Sequence, residues 1–594
     1  MTRKGPTPVG PFRAPCLRAS VVTPAAGTVK CMGALGILDR LSSRDGRVVL
    51  ELDLSRGILE VRPRNPLAVL QLINATNMAV LRENLKEAAA DGRVAGLVVH
   101  AVECSQPMSV MEEVGSLIEE FGRHRPTVAW AESYGELANS LPAFQLATAA
   151  HRVWVQPSGD VGIGGAEVTI LLAKGMLEKL GIEPQVGKRW EYKTAADQFA
   201  ADDVSDANRE MMTRLGQSLV QDAVATIARR RGIDAARVWE GVNESPLTPD
   251  RAVELGLVDC IGYRDEVYAT VLDEWGGEPE DLRFVHRYAP RTSLRRMIRR
   301  TTGGKVAVVS VRGSIVTGRG APSPTGGESA GSDVVDEQLR AVLRDEDVRA
   351  VVLEIDSPGG SAVASDSMRR SVLRVKDSGR PVVARMGSVA ASGGYYAAMG
   401  ADEIVAQAAT LTGSIGVLAG KFVTRGLYEK VGLKRESIRI GARAGMLSSA
   451  SEFTEEDWAK LDESLDRIYS TFTTLAAQDR GMEVDELEAL ARGRVWTGSD
   501  AVACGLVDHI GGWRLAFERA CVLAGMDPAT TTVSRTSQLG ALERLMPATS
   551  SESRSQAGLA LHMDPTDALL ARAATWLGLP IHGALSLPMR IDIG

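Results

Sequence analysis

Cysteine, histidine and aromatic residues are scarce in this chain of 594 residues. It has six cysteines and seven histidines, and because they form no Cys-x-x-Cys pair or Cys/His cluster, the sequence predicts no zinc site. Aromatic residues make up 5% and the net charge is -7, which argues against a basic, base-stacking surface for nucleic acid. No stretch approaches the ~18–20 consecutive apolar residues of a membrane span. We therefore expect no metal site, no nucleic-acid partner and no transmembrane segment in this sequence.

What the chain does contain is an internal duplication. The segment 252–262 recurs as 501–511, and both share the run Gly-Leu-Val-Asp at an offset of 249 residues. Upstream, Gly162 falls on Gly413 at an offset of 251. Ordered matches at a nearly constant offset indicate two copies of one domain of about 230 residues, far longer than the ~20–50 residues of a solenoid repeat.

Short apolar runs alternate with helical patterns inside each copy. The second copy has predicted strands at 306–311, 348–355 and 382–386 and predicted helices at 334–343 and 361–376. This alternation predicts an α/β fold with a mostly parallel sheet covered by helices. The predicted organisation is an N-terminal tail (1–45), a first domain (46–287), a basic linker (288–304), a second domain (305–530) and a C-terminal extension (531–594).

Ser392 is the candidate nucleophile. It follows a strand predicted to end near Gly387 and a turn of small residues, and it opens a helix, so its hydroxyl lies beside free backbone N–H groups. The glycines after it permit close approach of a substrate backbone. An acyl-transfer nucleophile with an oxyanion hole has these requirements. An ordinary serine at a helix N-cap is the alternative.

A Gly-Gly turn follows the preceding buried strand, in Asp356-Ser-Pro-Gly-Gly360. Ligands of open α/β sheets bind at the carboxyl ends of the strands. Either Gly359 or Gly360 can direct an N–H toward a developing oxyanion, and Gly393 can supply the second donor. A tight turn before a helix is the alternative.

Lys193 is the candidate general base. The histidines of the second copy lie in no suggestive position, so a Ser-His-Asp triad is not supported, whereas a lysine can serve if burial lowers its pKa. The aromatic residues Trp190 and Phe199 flank Lys193 and suit a desolvated amine, although an ordinary surface lysine is the alternative. At the 251 offset Lys193 falls on Ala444, and residues 435–450 contain no lysine.

The serine position of the first copy is damaged. Ser140 falls opposite Ser392 at an offset of 252, but no Gly-Gly follows it and Pro142 has no N–H to donate. The first copy therefore has a lysine without an intact oxyanion site, and the second has the serine site without a lysine. One composite site that joins Lys193 to Ser392 fits both halves.

These motifs resemble those of the long, duplicated signal peptide peptidases, also called protease IV. The resemblance covers about residues 48–520 and rests on four segments: Asp356–Gly360, Ala390–Tyr395, Leu411–Gly416 and Glu191–Ala195. It implies two tandem ClpP/crotonase-like domains that arose by duplication. It also implies a ring-like homotetramer that cleaves residual signal peptides and other apolar peptides in or near the membrane.

The resemblance also assigns roles to single residues. It makes Ser392 the nucleophile and Lys193 the general base and acid, and Ser414 falls where a second hydroxyl orients the lysine amine. It implies no cofactor. It implies association with the cell membrane, and because no transmembrane segment is seen, a cytoplasmic location is the alternative. Two other functions stay open, namely a crotonase-like acyl-CoA enzyme and an inactive scaffold that binds peptides.

Overall fold

The computed structural model describes residues 46–60, 75–102, 106–136, 138–288, 304–320 and 329–535, together with one short strand at 585–586. The predicted tail, nearly all of the predicted linker and most of the C-terminal extension lie outside the described residues. The chain divides into two compact units. Unit 1 comprises Met1–Ser105, Leu117–Gly164 and Ile227–Arg291, and unit 2 comprises Gln106–Ser116, Gly165–Thr226 and Thr292–Gly594. The domain limits predicted from the repeat, 46–287 and 305–530, stay a prediction.

The strands are, in chain order, β1 (Val48–Asp53), β2 (Ile58–Leu59), β3 (Thr76–Asn77), β4 (Val94–His100), β5 (Thr127–Ala131), β6 (Arg152–Val155), β7 (Glu183–Lys188), β8 (Cys260–Ile261), β9 (Leu282–Phe284), β10 (Lys305–Arg312), β11 (Ser314–Val316), β12 (Ser329–Gly331), β13 (Val348–Ser357), β14 (Gly359–Gly360), β15 (Val382–Ala391), β16 (Glu403–Ala406), β17 (Leu411–Gly413), β18 (Leu418–Val423), β19 (Val495–Thr497), β20 (His509–Ile510), β21 (Thr532–Arg535) and β22 (Leu585–Ser586).

The α-helices are α1 (Met78–Ala90), α2 (Met108–Gly122), α3 (Leu141–Ala147), α4 (Lys174–Leu180), α5 (Asp197–Ala200), α6 (Asp206–Arg231), α7 (Ala235–Glu244), α8 (Pro249–Glu254), α9 (Arg264–Trp275), α10 (Ser332–Arg344), α11 (Ala362–Asp377), α12 (Gly393–Met399), α13 (Arg425–Lys430), α14 (Glu455–Arg480), α15 (Val484–Leu490), α16 (Gly498–Ala503) and α17 (Trp513–Leu523). Among the helices of the described residues, none is long and apolar enough to cross a membrane.

Unit 1 is built on a six-stranded sheet in the order β8-β6-β5-β4-β1-β9. All of its strand pairs are parallel. Its central strands β4 and β5 are apolar and nearly continuously buried, as expected for a parallel sheet with both faces covered. On one face, Val267 and Val271 of α9 pack against Val98 and Val128.

Unit 2 repeats this arrangement and extends it. Its sheet contains the parallel order β21-β10-β13-β15-β16-β20, which matches β9-β1-β4-β5-β6-β8 strand for strand. Helices recur as well, because α1 and α10 each have 13 residues and α6 and α14 each have 26. The predicted α/β class and the predicted duplication are confirmed.

One predicted boundary near the site is wrong. The strand expected to end near Gly387 continues as β15 to Ala391, so no turn of small residues separates the strand from Ser392. The reason is a second partner: the first half of β15 pairs with β16, and Val389–Ala391 pair in parallel with β17. The sheet therefore extends directly to the candidate nucleophile.

The segment that carries Lys193 belongs to unit 2 together with the second copy. Strand β7 pairs antiparallel with β18 along its whole length. The two backbones are close at Gly420, where a Cβ atom would lie 2.2 Å from the carbonyl oxygen of Gln185 and 2.6 Å from the Cα of Val186. Only glycine fits at this position, and the pairing fixes where the chain continues toward Lys193.

Candidate active site

Ser392 lies at the junction between β15 and α12. Its backbone has φ 55° and ψ −114°, a conformation that costs a non-glycine residue on the order of 1–3 kcal/mol and is typical of functional sites. Two hydrogen bonds hold it there: the Ser392 N–H donates to the Gly413 carbonyl at 2.8 Å, and the Tyr396 N–H donates to the Ser392 carbonyl at 2.9 Å. The serine is fully buried.

The Lys193 amine reaches this serine. Its Nζ lies 2.9 Å from Ser392 Oγ, 2.9 Å from Ser414 Oγ and 3.0 Å from the Ser414 carbonyl oxygen. A neutral amine has two N–H groups and one lone pair. The two Ser414 oxygens match the two N–H groups, which leaves the lone pair to accept the Ser392 proton. The structure thus brings together the three side chains predicted from sequence.

Lys193 is completely buried. Burial lowers the pKa of its amine from 10.5 to about 7, because desolvation disfavours the charged form. A base with a pKa near neutral pH is present in its proton-accepting form in useful amounts and still holds a proton strongly enough to act as an acid. The amine is therefore suited to proton transfer with the serine.

The enclosure around Lys193 differs from the expected aromatic wall. Trp190 is 43% exposed and lies near Tyr469, with ring centroids 6.2 Å apart. Phe199 packs edge-to-face against Phe422. Close contact with the lysine side chain comes instead from Gly416, where a Cβ atom would lie 3.2 Å from Lys193 Cδ.

The two predicted oxyanion donors lie beside each other. A Cβ atom on Gly393 would meet the Gly360 nitrogen at 3.1 Å and the Gly359 Cα at 3.2 Å, so the Gly-Gly turn lies against the start of α12. Gly359 and Gly360 have φ values of 103° and 152°, which favour glycine. The Gly393 N–H is in the first turn of its helix and has no acceptor within that helix, and the Gly359 N–H donates to Ser357 Oγ at 3.2 Å.

The first copy retains the framework of the serine site. Ser140 caps the seven-residue helix α3 as Ser392 caps α12. Its N–H donates to the Gly162 carbonyl at 2.7 Å, and Gly162 is the sequence match of Gly413. The offset of 252 is therefore the structural register at this position. Ser140 has φ −131°, and its buried hydroxyl has no hydrogen-bond partner among the described residues.

Two residues that contact the site, Arg494 and Gly493, were not identified from the sequence. The Ser414 N–H donates to the Arg494 carbonyl at 2.6 Å, and Gly493 lies against the backbone of Lys193. The two contacts join positions 80 and 300 residues apart in the chain. A single glycine between two arginines gives no local signal for such a contact.

The fold and this site define a serine peptidase built from a duplicated α/β domain. The chain belongs to Peptidase family S49, whose model matches residues 119–275 and 374–527, together more than half of the sequence. Two separate matches confirm the duplication, and the predicted relationship to the long protease IV form is confirmed with them.

Curated relatives agree with this family. "Serine protease SPPA, chloroplastic" of Arabidopsis thaliana is 34% identical over 435 residues, which are 73% of this chain and 63% of that protein. "Protease 4" of Salmonella typhi is 29% identical over 456 residues, 74% of this chain and 71% of that protein. The chain thus spans somewhat less than two thirds of the Arabidopsis protein. Among solved structures, a ClpP1 mutant from Listeria monocytogenes is 14% identical with a TM-score of 0.23, covering 35% of this chain and 93% of its own.

Proposed function

We propose that this serine peptidase is an endopeptidase that works through a dyad of Ser392 and Lys193. One observation carries the proposal: a buried amine with a pKa of about 7 lies 2.9 Å from the hydroxyl of a strained serine. The strain of Ser392 and the burial of Lys193 both have a cost, and costly arrangements are retained mainly at functional sites.

The proposed reaction begins with neutral Lys193. Its lone pair accepts the Ser392 proton as Oγ attacks the carbonyl carbon of the scissile peptide bond. The Gly393 N–H and a backbone N–H of the Gly359-Gly360 turn stabilise the oxyanion of the tetrahedral intermediate. The Lys193 ammonium then protonates the leaving amine, and the C–N bond breaks. Lys193 next removes a proton from water, which hydrolyses the acyl ester and restores the serine.

Ser414 has a positioning role in this scheme. Its hydroxyl and its carbonyl both accept from the Lys193 amine, and this fixes the direction of the remaining lone pair. Ser414 itself has φ 49° and is held by the Arg494 carbonyl. A constrained acceptor keeps the amine aimed at Ser392 Oγ.

We propose apolar peptides, including residual signal peptides, as the substrates. The family resemblance supports the same substrate class.

We further propose that the chain assembles as a homo-oligomer, a tetramer by the family resemblance, and associates with a membrane surface. An exposed arm, residues 431–447, supports assembly: it carries charged residues, but Ile438 and Ile440 in it are 92% and 91% exposed. In the first copy, the corresponding stretch near Lys193 packs within unit 2, so a second copy of this chain is the natural partner for the arm.

The proposed association with a membrane surface is tested by flotation with phospholipid vesicles. A protein that stays with the aqueous fraction would contradict it.

The dyad is tested by the variants Ser392→Ala and Lys193→Ala, assayed for turnover of an apolar peptide ester. Both should lose at least about 10³-fold in kcat, as variants of other catalytic dyads and triads do. Ser140→Ala is the matched control, because it changes the corresponding serine of the first copy, and it should keep wild-type turnover.

Near-wild-type activity of Ser392→Ala or Lys193→Ala would remove the assignment. A fluorophosphonate probe separates the alternatives, because a crotonase-like enzyme or an inactive scaffold has no activated serine to label. Labelling that is lost in Ser392→Ala and kept in Ser140→Ala supports the peptidase dyad. Absence of labelling in the wild-type protein would favour one of the alternatives.

A further inference from the structure

A short segment at 491–494 closes around the lysine. Gly493 has φ 84°, and a Cβ atom there would lie 2.5 Å from the backbone nitrogen of Lys193 and 2.6 Å from its Cβ. Real Cβ atoms do not approach other atoms so closely, so any side chain at position 493 must push Lys193 away. Nothing in the dyad chemistry itself requires a glycine here.

Strain is concentrated where the two segments meet. Arg492 and Trp190 have φ values of 52° and 67°, and neither is a glycine. Their side chains contact each other, with the Arg492 guanidinium 4.6 Å from the Trp190 ring centroid. Arg492 also forms an ion pair with Glu191 at 3.3 Å. These contacts tie the strained backbone of one segment to that of the other.

Backbone hydrogen bonds connect the same segment to Ser414. The Gly493 N–H donates to the Ile415 carbonyl at 2.7 Å, and the Ser414 N–H donates to the Arg494 carbonyl at 2.6 Å. Segment 491–494 therefore contacts the lysine on one side and holds its acceptor on the other. A shift of this segment would change the lysine and its acceptor together.

We propose that Gly493 is a positioning residue of the dyad: the missing side chain sets how deeply Lys193 enters the site and so its distance from Ser392 and Ser414. This inference rests on the proposed function. Gly493 touches no substrate atom and acts through Lys193. An added methyl group would displace the lysine backbone, lengthen the contact with Ser392 and admit water to the amine.

The test compares Gly493→Ala with the wild-type protein through the pH profile of kcat/KM on an apolar peptide ester. A displaced, hydrated lysine regains its proton at neutral pH, so the profile midpoint should rise by about one pH unit or more, and kcat/KM at pH 7 should fall about tenfold or more. A purely structural effect would lower the rate at every pH and leave the midpoint in place.

Gly481→Ala is the matched control. Gly481 also has a left-handed backbone, with φ 64°, but no atom lies within 4 Å of an added Cβ. This variant has the same type of backbone cost and should keep the wild-type midpoint. A midpoint of Gly493→Ala equal to that of the wild type would overturn the inference.

A second variant covers the case in which Gly493→Ala does not fold, as judged by circular dichroism. Gly416→Ala would place a Cβ 2.7 Å from Gly493 Cα and 3.2 Å from Lys193 Cδ, so it pushes on Gly493 and on the lysine together. Its midpoint should also rise, whereas an unmoved midpoint would overturn the inference. The role of Gly493 and the dyad itself are rejected by different results. If the wild-type protein is active and the pH midpoint of the glycine variant does not move, the role of Gly493 is rejected. If Ser392→Ala is active, the dyad is rejected.

Discussion

The buried Lys193 lowers the stability of the folded chain, because its pKa is lower in the folded protein than in the unfolded chain. A pKa of about 7 in the folded protein and one of about 10.4 in the unfolded chain correspond to a cost on the order of 5 kcal/mol below pH 7. The unfolded chain binds the extra proton between these two values, so this cost shrinks as the pH rises from about 7 to about 10.4. The neutral form is needed for the proposed reaction, because a charged lysine has no lone pair and could not accept the Ser392 proton.

Ser392 shows how a single backbone conformation presents a nucleophile. Its positive φ makes a sharp change of direction between β15 and α12, and the Gly413 carbonyl holds its N–H. Ser140 occupies the corresponding place with an ordinary negative φ. The difference between the two copies is therefore a difference in backbone conformation as well as in neighbouring residues.

The pairing of β7 with β18 positions the segment that carries Lys193. β7 ends at Lys188, five residues before Lys193, and its partner strand belongs to the second copy. The close approach at Gly420 allows the two strands to pair without a side chain between their backbones. This ladder positions a residue from one copy beside the serine of the other.

Gly420→Ala should separate these strands. The added Cβ would lie 2.2 Å from the Gln185 carbonyl oxygen, so β7 must move and Lys193 with it. We expect turnover of the peptide ester to fall about tenfold or more, since an ångström-sized displacement in a site can cost that much or more. Gly175→Ala is the control, because an added Cβ in α4 has no atom within 4 Å, and wild-type turnover by Gly420→Ala would contradict the role of the ladder.

The two copies contribute different residues to the candidate site. Both sheets have the same strand order, yet the serine, the Gly-Gly turn and the acceptor Ser414 come from the second copy and the lysine from the first. The second copy keeps a segment that corresponds to the lysine segment. This segment is the exposed arm at 431–447, and its residues 435–447 contain no lysine.

The assembly is tested by a double variant, Ile438→Asp with Ile440→Asp. Replacing the two most exposed apolar side chains of the arm with carboxylates should disfavour its burial against a second copy, so the particle mass measured by light scattering should decrease. Val522→Asp is the control, since it changes a 58% exposed apolar residue outside the arm. An unchanged mass in the double variant, or a monomeric wild-type protein, would contradict the proposed assembly.

The sequence predicts the parts of the site that depend on local pattern. Ser392 and its glycines follow an apolar strand, and the repeat exposes the missing lysine of the second copy. The extension of β15 to Ala391 and the contact of Gly493 with Lys193 were not predictable, because both depend on partners distant in sequence. The flanking aromatic Trp190 was misleading for a related reason: its side chain turns to Tyr469 and Arg492 rather than to the amine.

The dyad itself is tested by the pH dependence of covalent labelling at Ser392. A fluorophosphonate should modify Ser392, as located by peptide mass mapping, at a rate that rises with pH and levels off above a midpoint near 7. The rise follows the loss of the proton from Lys193, whose pKa burial lowers to about 7. Lys193→Ala should abolish that titration. Labelling of a different residue, or a Ser392 rate with no midpoint near pH 7 in the wild-type protein, would contradict a lysine-activated serine.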